Sequence, residues 1–326
     1  MITNSTTAFW GGVSLAACCS TVAITNLFTI AVIAFSDSLR THTTYQLVAL
    51  LSGNDFMAGL FSTLQGVFSV MVGPAATASP SLLRKMDHVC QWVGSFWFLF
   101  TYSSSLGQSL IAINRCLAVF APVMYARSFT LKTCHLIWIC FVWIPVFVVI
   151  VCLGGSRIFG AFIVFPQFGL CMIDARQGAW KFSMDLVFVY IPCCIMLCGY
   201  FAIFLRLKTA SSAATKSELQ KRAKGSKMMF WSFLGFVVCI VPAPIFYDWV
   251  DPSRLNVYTL DGLFVYITIC IYNLSYGVNI VFYLVFNQTF RKEASKLVWK
   301  TAGISGHTIV ESTPNVNTSV LARWQK

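Results

Sequence analysis

Seven runs of the chain contain almost no ionisable side chain. Free of Asp, Glu, Lys and Arg are 1–36, 41–83 apart from Asp55, 88–114, 133–156, 186–205, 228–247 and 262–290. A bilayer core requires about 20 mostly apolar residues in helical form, so each run predicts one transmembrane helix, referred to below as the first to seventh span. An eighth run, 158–173, has 16 residues and contains Gly160 and Pro166; it predicts an extracellular loop. The first run has no basic residue ahead of its apolar core and no clear cleavage site, which predicts a retained span and not a removed leader. Residues 206–227 are rich in Ser, Ala and Lys and predict cytoplasmic extensions of the fifth and sixth spans. Between 287 and 300 basic and apolar residues alternate (Phe290, Leu297, Val298, Trp299), as in a helix lying in the membrane interface. The expected architecture is an all-α membrane protein: a seven-transmembrane helix bundle with a short amphipathic eighth helix over residues 1–300, then a disordered cytoplasmic tail over 301–326.

Charge fixes the expected orientation. With the N-terminus outside, 17 Lys and Arg fall on the cytoplasmic side, most of them in 206–227 and after 290, against 6 on the other side (Arg84, Lys85, Arg157, Arg176, Lys181, Arg254). The positive-inside rule selects this arrangement. Asn4-Ser5-Thr6 is a glycosylation sequon that would then face the lumen.

Composition agrees. Apolar residues make up 57% of the chain, charged ones 10%, and the mean hydropathy is +0.74; a soluble domain carries roughly 25% charged residues. The net charge of +12 does not point to nucleic acid, because the basic residues form short clusters between apolar runs with no basic stripe. Most of the thirteen cysteines lie within apolar runs, with no CxxC spacing for zinc. The four histidines (His42, His88, His135, His307) are scattered and frame no nucleophile–base pair, so no enzyme is indicated. A transporter would show paired intramembrane charges or a repeat, and only Asp55 and Asp185 stand out.

Several motifs, in order and spacing, resemble the rhodopsin-like receptors that activate heterotrimeric G proteins. Asn26 lies in the first span and Asp55 in LRTHTTYQLVALLSGNDFMAGL. Cys90 is followed by Arg115 after 25 residues, and by Pro122 seven further on. Trp143, with Trp138 as competitor, suits the fourth-span tryptophan; Pro192 and Tyr200 suit the fifth span. Phe236 to Pro242 matches FxxCWxP with Ile240 for Trp. Asn279 to Tyr283 matches NPxxY with Ile280 for Pro, and Phe290 opens the eighth helix. Asn114-Arg115-Cys116 stands where most members have Asp-Arg-Tyr. INRCLAVFAPVMYARSFT and FNQTFRK look most like nematode serpentine chemoreceptors of the Srx or Srsx groups.

The resemblance implies roles for named residues. Cys90 and Cys171 would form a disulfide from the third span to the second extracellular loop. Asp55, Ser104, Ser275 and Asn279 would bind a sodium ion, or form a polar network that ties helices together. Asn114, Arg115, Tyr200, Phe236, Ile240, Pro242, Asn279 and Tyr283 would form the activation switch; Asn114 and Arg222 replace acidic partners of Arg115, which predicts a weakly held inactive state. Trp97, Thr101, Tyr102, Asp185, Tyr247, Ile269 and Asn273 would line the ligand pocket. Trp97 stands where amine receptors place an acidic counter-ion, which argues against biogenic amines. A retinal cofactor needs a seventh-span lysine, and 262–290 has none. The expected function is a plasma-membrane receptor for a small molecule or short peptide, in a chemosensory role, with a neuropeptide receptor as alternative. About nine residues before the first span argue against a large protein ligand.

Overall fold

The computed structural model describes residues 2–72, 80–148, 162–165, 170–173, 178–209, 230–231, 234–235, 237–239 and 262–301. The described residues form long helices around a polar interior. The first span is the helix Ile2–Phe35, whose apolar stretch begins at Ala8. The helix thus extends over nearly all of the residues expected to precede it. The second span is Thr43–Val72 and the third is Pro80–Phe120. The fourth runs from Leu131 to Val148, the fifth includes Phe182–Arg206, and the seventh is Gly262–Phe286. The terminal helix is Gln288–Thr301. Of the sixth span only a few residues between 230 and 239 are described; Phe236, Ile240, Pro242 and Tyr247 lie outside them, as do Arg222 and the tail 302–326.

Five of the described helices are long and apolar enough to cross a membrane. The third span is less apolar for a structural reason. Its Thr101, Ser103, Ser104, Ser105, Gln108, Ser109 and Asn114 are all buried, so the polar residues that lower its hydropathy face the interior of the bundle, while Trp92 and Phe96 remain on its exposed side. The outward faces are the reverse: Trp10, Ile24, Phe35, Phe201, Phe204 and Val281 are exposed. Apolar outside and polar inside is the arrangement a bilayer selects, because polar groups there must be satisfied within the protein.

The fourth and fifth spans each contain one wide turn, Ile139–Trp143 and Leu186–Tyr190. The N–H of Ile144 reaches the Ile139 carbonyl, and that of Ile191 the Leu186 carbonyl. Pro145 and Pro192 lie just beyond. A proline ring clashes with the carbonyl four residues earlier, and an i→i+5 turn relieves that conflict without breaking the helix. The 158–173 segment, expected as a loop, contributes two antiparallel strands, β1 (Phe162–Phe165) and β2 (Leu170–Ile173), with Val164 opposite Cys171. Trp138 is buried and would meet a side chain placed at Gly107 of the third span. Trp143 is half-buried and lies edge-to-face with Phe100, with centroids 5.5 Å apart. Trp138 is therefore the inward of the two tryptophans.

The orientation has a direct check. A glycosylation tag fused ahead of residue 1 should be modified in cells, and one placed after residue 305 should not. The opposite result removes the N-out topology.

Candidate functional site

The candidate residues occupy successive depths of the bundle. At the outer end, Cys90 and Cys171 are both buried and joined as a disulfide, with Cα atoms 5.3 Å apart. It ties β2, and through the hairpin β1, to the start of the third span.

Below it, Trp97 and Thr101 lie four residues apart on one face of the third span, and Tyr102 is the next residue on. The Tyr102 hydroxyl donates to Asp185 Oδ1 of the fifth span at 2.5 Å. Tyr102 also stacks on Phe188, with centroids 5.2 Å apart. Across the bundle, Trp97 packs against Tyr272 (5.8 Å), and Tyr272 against Tyr276 (5.8 Å). Trp97 Nε1, Thr101 Oγ1 and the Tyr276 hydroxyl are buried and make no hydrogen bond. The structure thus brings Trp97, Thr101, Tyr102 and Asp185 together and adds Tyr272 and Tyr276, which motif spacing did not reveal. The visible signal was two tyrosines one turn apart within an apolar run. Ile269 and Asn273 go elsewhere. Ile269 packs with Leu15, Cys19 and Tyr266. Asn273 accepts from Ser62 Oγ at 2.5 Å and donates to the Ile269 carbonyl at 2.8 Å; it links the second span to the seventh.

At mid-depth, Asp55 is fully buried. Asn279 Nδ2 donates to Asp55 Oδ2 at 3.2 Å. Asp55 Oδ1 and Ser104 Oγ face this centre without a hydrogen bond at acceptable geometry. Ser275 Oγ donates to the Tyr272 carbonyl at 2.6 Å, which leaves its oxygen able to accept. Three oxygens of this set suit a hard monovalent cation. Asn279 presents its nitrogen to the carboxylate and holds it in place. The nearby Asn26 donates to the Tyr276 carbonyl at 2.9 Å and ties the first span to the seventh.

At the end expected to face the cytoplasm, Arg115 is half-buried and its Nε makes no hydrogen bond. The buried phenols of Tyr200 and Tyr283 both lie within electrostatic reach of this guanidinium and of each other. Asn114 is buried with neither amide atom hydrogen-bonded, so it does not restrain Arg115. Tyr283 packs on Phe290 at 5.5 Å. Two residues without a motif complete this region. Asn287 Oδ1 accepts from Phe290 N at 3.1 Å and caps the terminal helix, while its Nδ2 donates to the Tyr45 hydroxyl at 2.8 Å. An Asn directly ahead of an amphipathic stretch is the helix-start signal that marks it. Asn4 lies in the first helix, with its side chain outside the described residues.

The sequence profile of the family described as 7 transmembrane receptor (rhodopsin family) matches residues 25–283. The chain belongs to this family. It is therefore a multi-pass membrane receptor of the seven-helix type, not a member of an enzyme family. It is also similar to the blue-sensitive opsin of Oryzias latipes, with 25% identity over 316 residues, covering 91% of this chain and 82% of the relative.

Proposed function

We propose that this receptor sits in the plasma membrane, takes a small molecule or short peptide from the outside, serves a chemosensory role, and activates a heterotrimeric G protein. The observation that carries the coupling is the cytoplasmic cluster: Arg115 within electrostatic reach of the Tyr200 and Tyr283 phenols, with no acidic residue beside it at position 114. A guanidinium placed there is available to a partner protein once the sixth span moves. The ligand reading rests on the half-buried Trp97 and the buried Thr101, Tyr102 and Asp185 beneath the disulfide, where aromatic surface and a few polar groups converge. The similarity to an opsin does not extend to a covalently bound retinal. Gly262–Phe286 contains no lysine to form the Schiff base.

The test is basal signalling. Restoring a carboxylate with Asn114→Asp should draw Arg115 back towards the third span and lower ligand-independent nucleotide exchange at equal surface expression. A charge pair of up to about 1 kcal/mol corresponds to a fall of up to about fivefold. A wild type that never accelerates exchange on any G protein sinks the coupling; equal exchange in both forms shows that the inactive state is held elsewhere.

A further inference from the structure

The outer half of the bundle contains a cluster of polar groups that the protein itself leaves unsatisfied. Trp97 Nε1 and Thr101 Oγ1 project from successive turns of the third span; from the seventh, the Tyr276 hydroxyl lies beside that of Thr101, and Tyr272, one turn from Tyr276, packs on the Trp97 ring. Thr101 and Tyr276 are completely buried. The Tyr276 hydroxyl lies beside those of Thr101 and Tyr272 without closing a hydrogen bond to either at acceptable geometry. Buried polar groups normally have partners, and within a bilayer an unmet one is costly. Three along one stretch of the third and seventh spans mark a site completed from outside the chain.

Their chemistry defines what completes it. An indole N–H donates and cannot accept; a hydroxyl does either. One ligand atom that meets all three must accept. An amine would set its own N–H groups against that of Trp97. A carboxylate accepts well, but the Tyr276 phenol already lies in the field of both Asp55 and Asp185, and a third carboxyl in a low-dielectric interior would be repelled. A neutral oxygen remains, and a carbonyl is the one that adds no proton of its own to a site already holding three donors. The rings of Trp97 and Tyr272 offer apolar walls beside it.

We infer that the receptor recognises a neutral carbonyl compound, a ketone, ester or amide with an apolar body, whose oxygen accepts from Trp97, Thr101 and Tyr276. This inference rests on the receptor reading above and names the ligand class for the same site. It agrees with the case against biogenic amines from Trp97.

The probes are methyl and aryl ketones of graded chain length. Each is paired with the alkene in which =CH2 replaces the carbonyl oxygen, and with the alkanoate and alkylamine of equal length. Full-length receptor in lipid nanodiscs is assayed for melting temperature and, separately, for nucleotide exchange on added G protein. At least one ketone should stabilise the wild type at concentrations about tenfold or more below its alkene, the scale of a hydrogen bond to a buried donor. Thr101→Val and Tyr276→Phe should each reduce that preference and leave the alkene response unchanged. Ligand-free Thr101→Val should melt at or above the wild-type temperature, because it removes an unsatisfied group. Equal response to ketone and alkene across the series, preference for alkanoate or alkylamine, or a lower melting temperature for ligand-free Thr101→Val overturns the inference; the last would show that water or protein already serves the hydroxyl. Exchange without ketone preference removes this inference alone. Ketone-selective stabilisation with no exchange removes the coupling and leaves the site.

Discussion

Gly66→Ala should leave little receptor at the cell surface, while Gly53→Ala should leave as much as the wild type. Both glycines lie within the second span. A Cβ at Gly66 would come within 2.5 Å of Ala16 N and 2.8 Å of the Gly12 carbonyl oxygen of the first span. These are backbone atoms of a helix and cannot rotate away. The two helices approach through glycine at both positions, since a Cβ at Gly12 would meet the Gly66 carbonyl at 2.8 Å. Close approach through small residues is how helices associate in lipid, where no hydrophobic effect drives them together. Overpacking of a tight contact costs about 1–3 kcal/mol, and rigid backbone on the other side places this case at the upper end. A Cβ at Gly53 meets nothing within 4 Å, and Ala there gains about 0.8–1 kcal/mol in helix propensity. Flow cytometry on tagged receptors checks both. Equal surface levels for Gly66→Ala and wild type would show that the first two spans do not pack through these glycines.

Loss of the outer disulfide should also be severe. Cys90→Ser and Cys171→Ser should each reduce surface expression and ligand response, and the double variant should be no worse than either single one. The bond closes a loop with a sequence separation of 81, for which chain entropy sets a scale of about 4–5 kcal/mol. Membrane insertion already restrains the unfolded chain, so that figure is an upper value. Each single variant also leaves a buried thiol opposite a serine in an apolar setting. A single variant indistinguishable from wild type in both readouts would show that the hairpin is held over the bundle by other contacts.

Much of the bundle was legible because lipid imposes a simple rule on sequence. A helix facing hydrocarbon must be apolar over about 20 residues, and the five apolar spans read from charge-free runs match helices in the structure. The polar residues inside those runs were legible too, since Asn26, Asp55, Asn114, Asn273 and Asn279 would be costly facing lipid and are all buried. Helix ends were less legible. The third span extends from Pro80 to Phe120, beyond the charge-free run at both ends, because helices continue past the hydrocarbon where water tolerates charge.

The candidate pocket was harder to read because spacing along a helix does not say which neighbour it faces. Ile269 and Asn273 satisfy the same spacing arguments as Tyr272 and Tyr276. Ile269 nevertheless packs against the first span and Asn273 bonds to Ser62 of the second, while Tyr272 meets Trp97. The wide turns at Ile139–Trp143 and Leu186–Tyr190 rotate what precedes them relative to a regular helix, so a residue count cannot aim Asp185. Tyr45 and Asn287, 242 positions apart, meet at 2.8 Å without any motif to announce it.

The sequence by itself determined the membrane class, the apolar spans, the family and the types of buried polar residue, because the bilayer and local helix chemistry act on each segment separately. Only the tertiary structure decided which unpaired donors converge between the third and seventh spans, which glycines let the first two spans touch, and which asparagines tie helices together. Those depend on how each helix is rotated against its neighbours, and that rotation is set by the packing of the whole bundle.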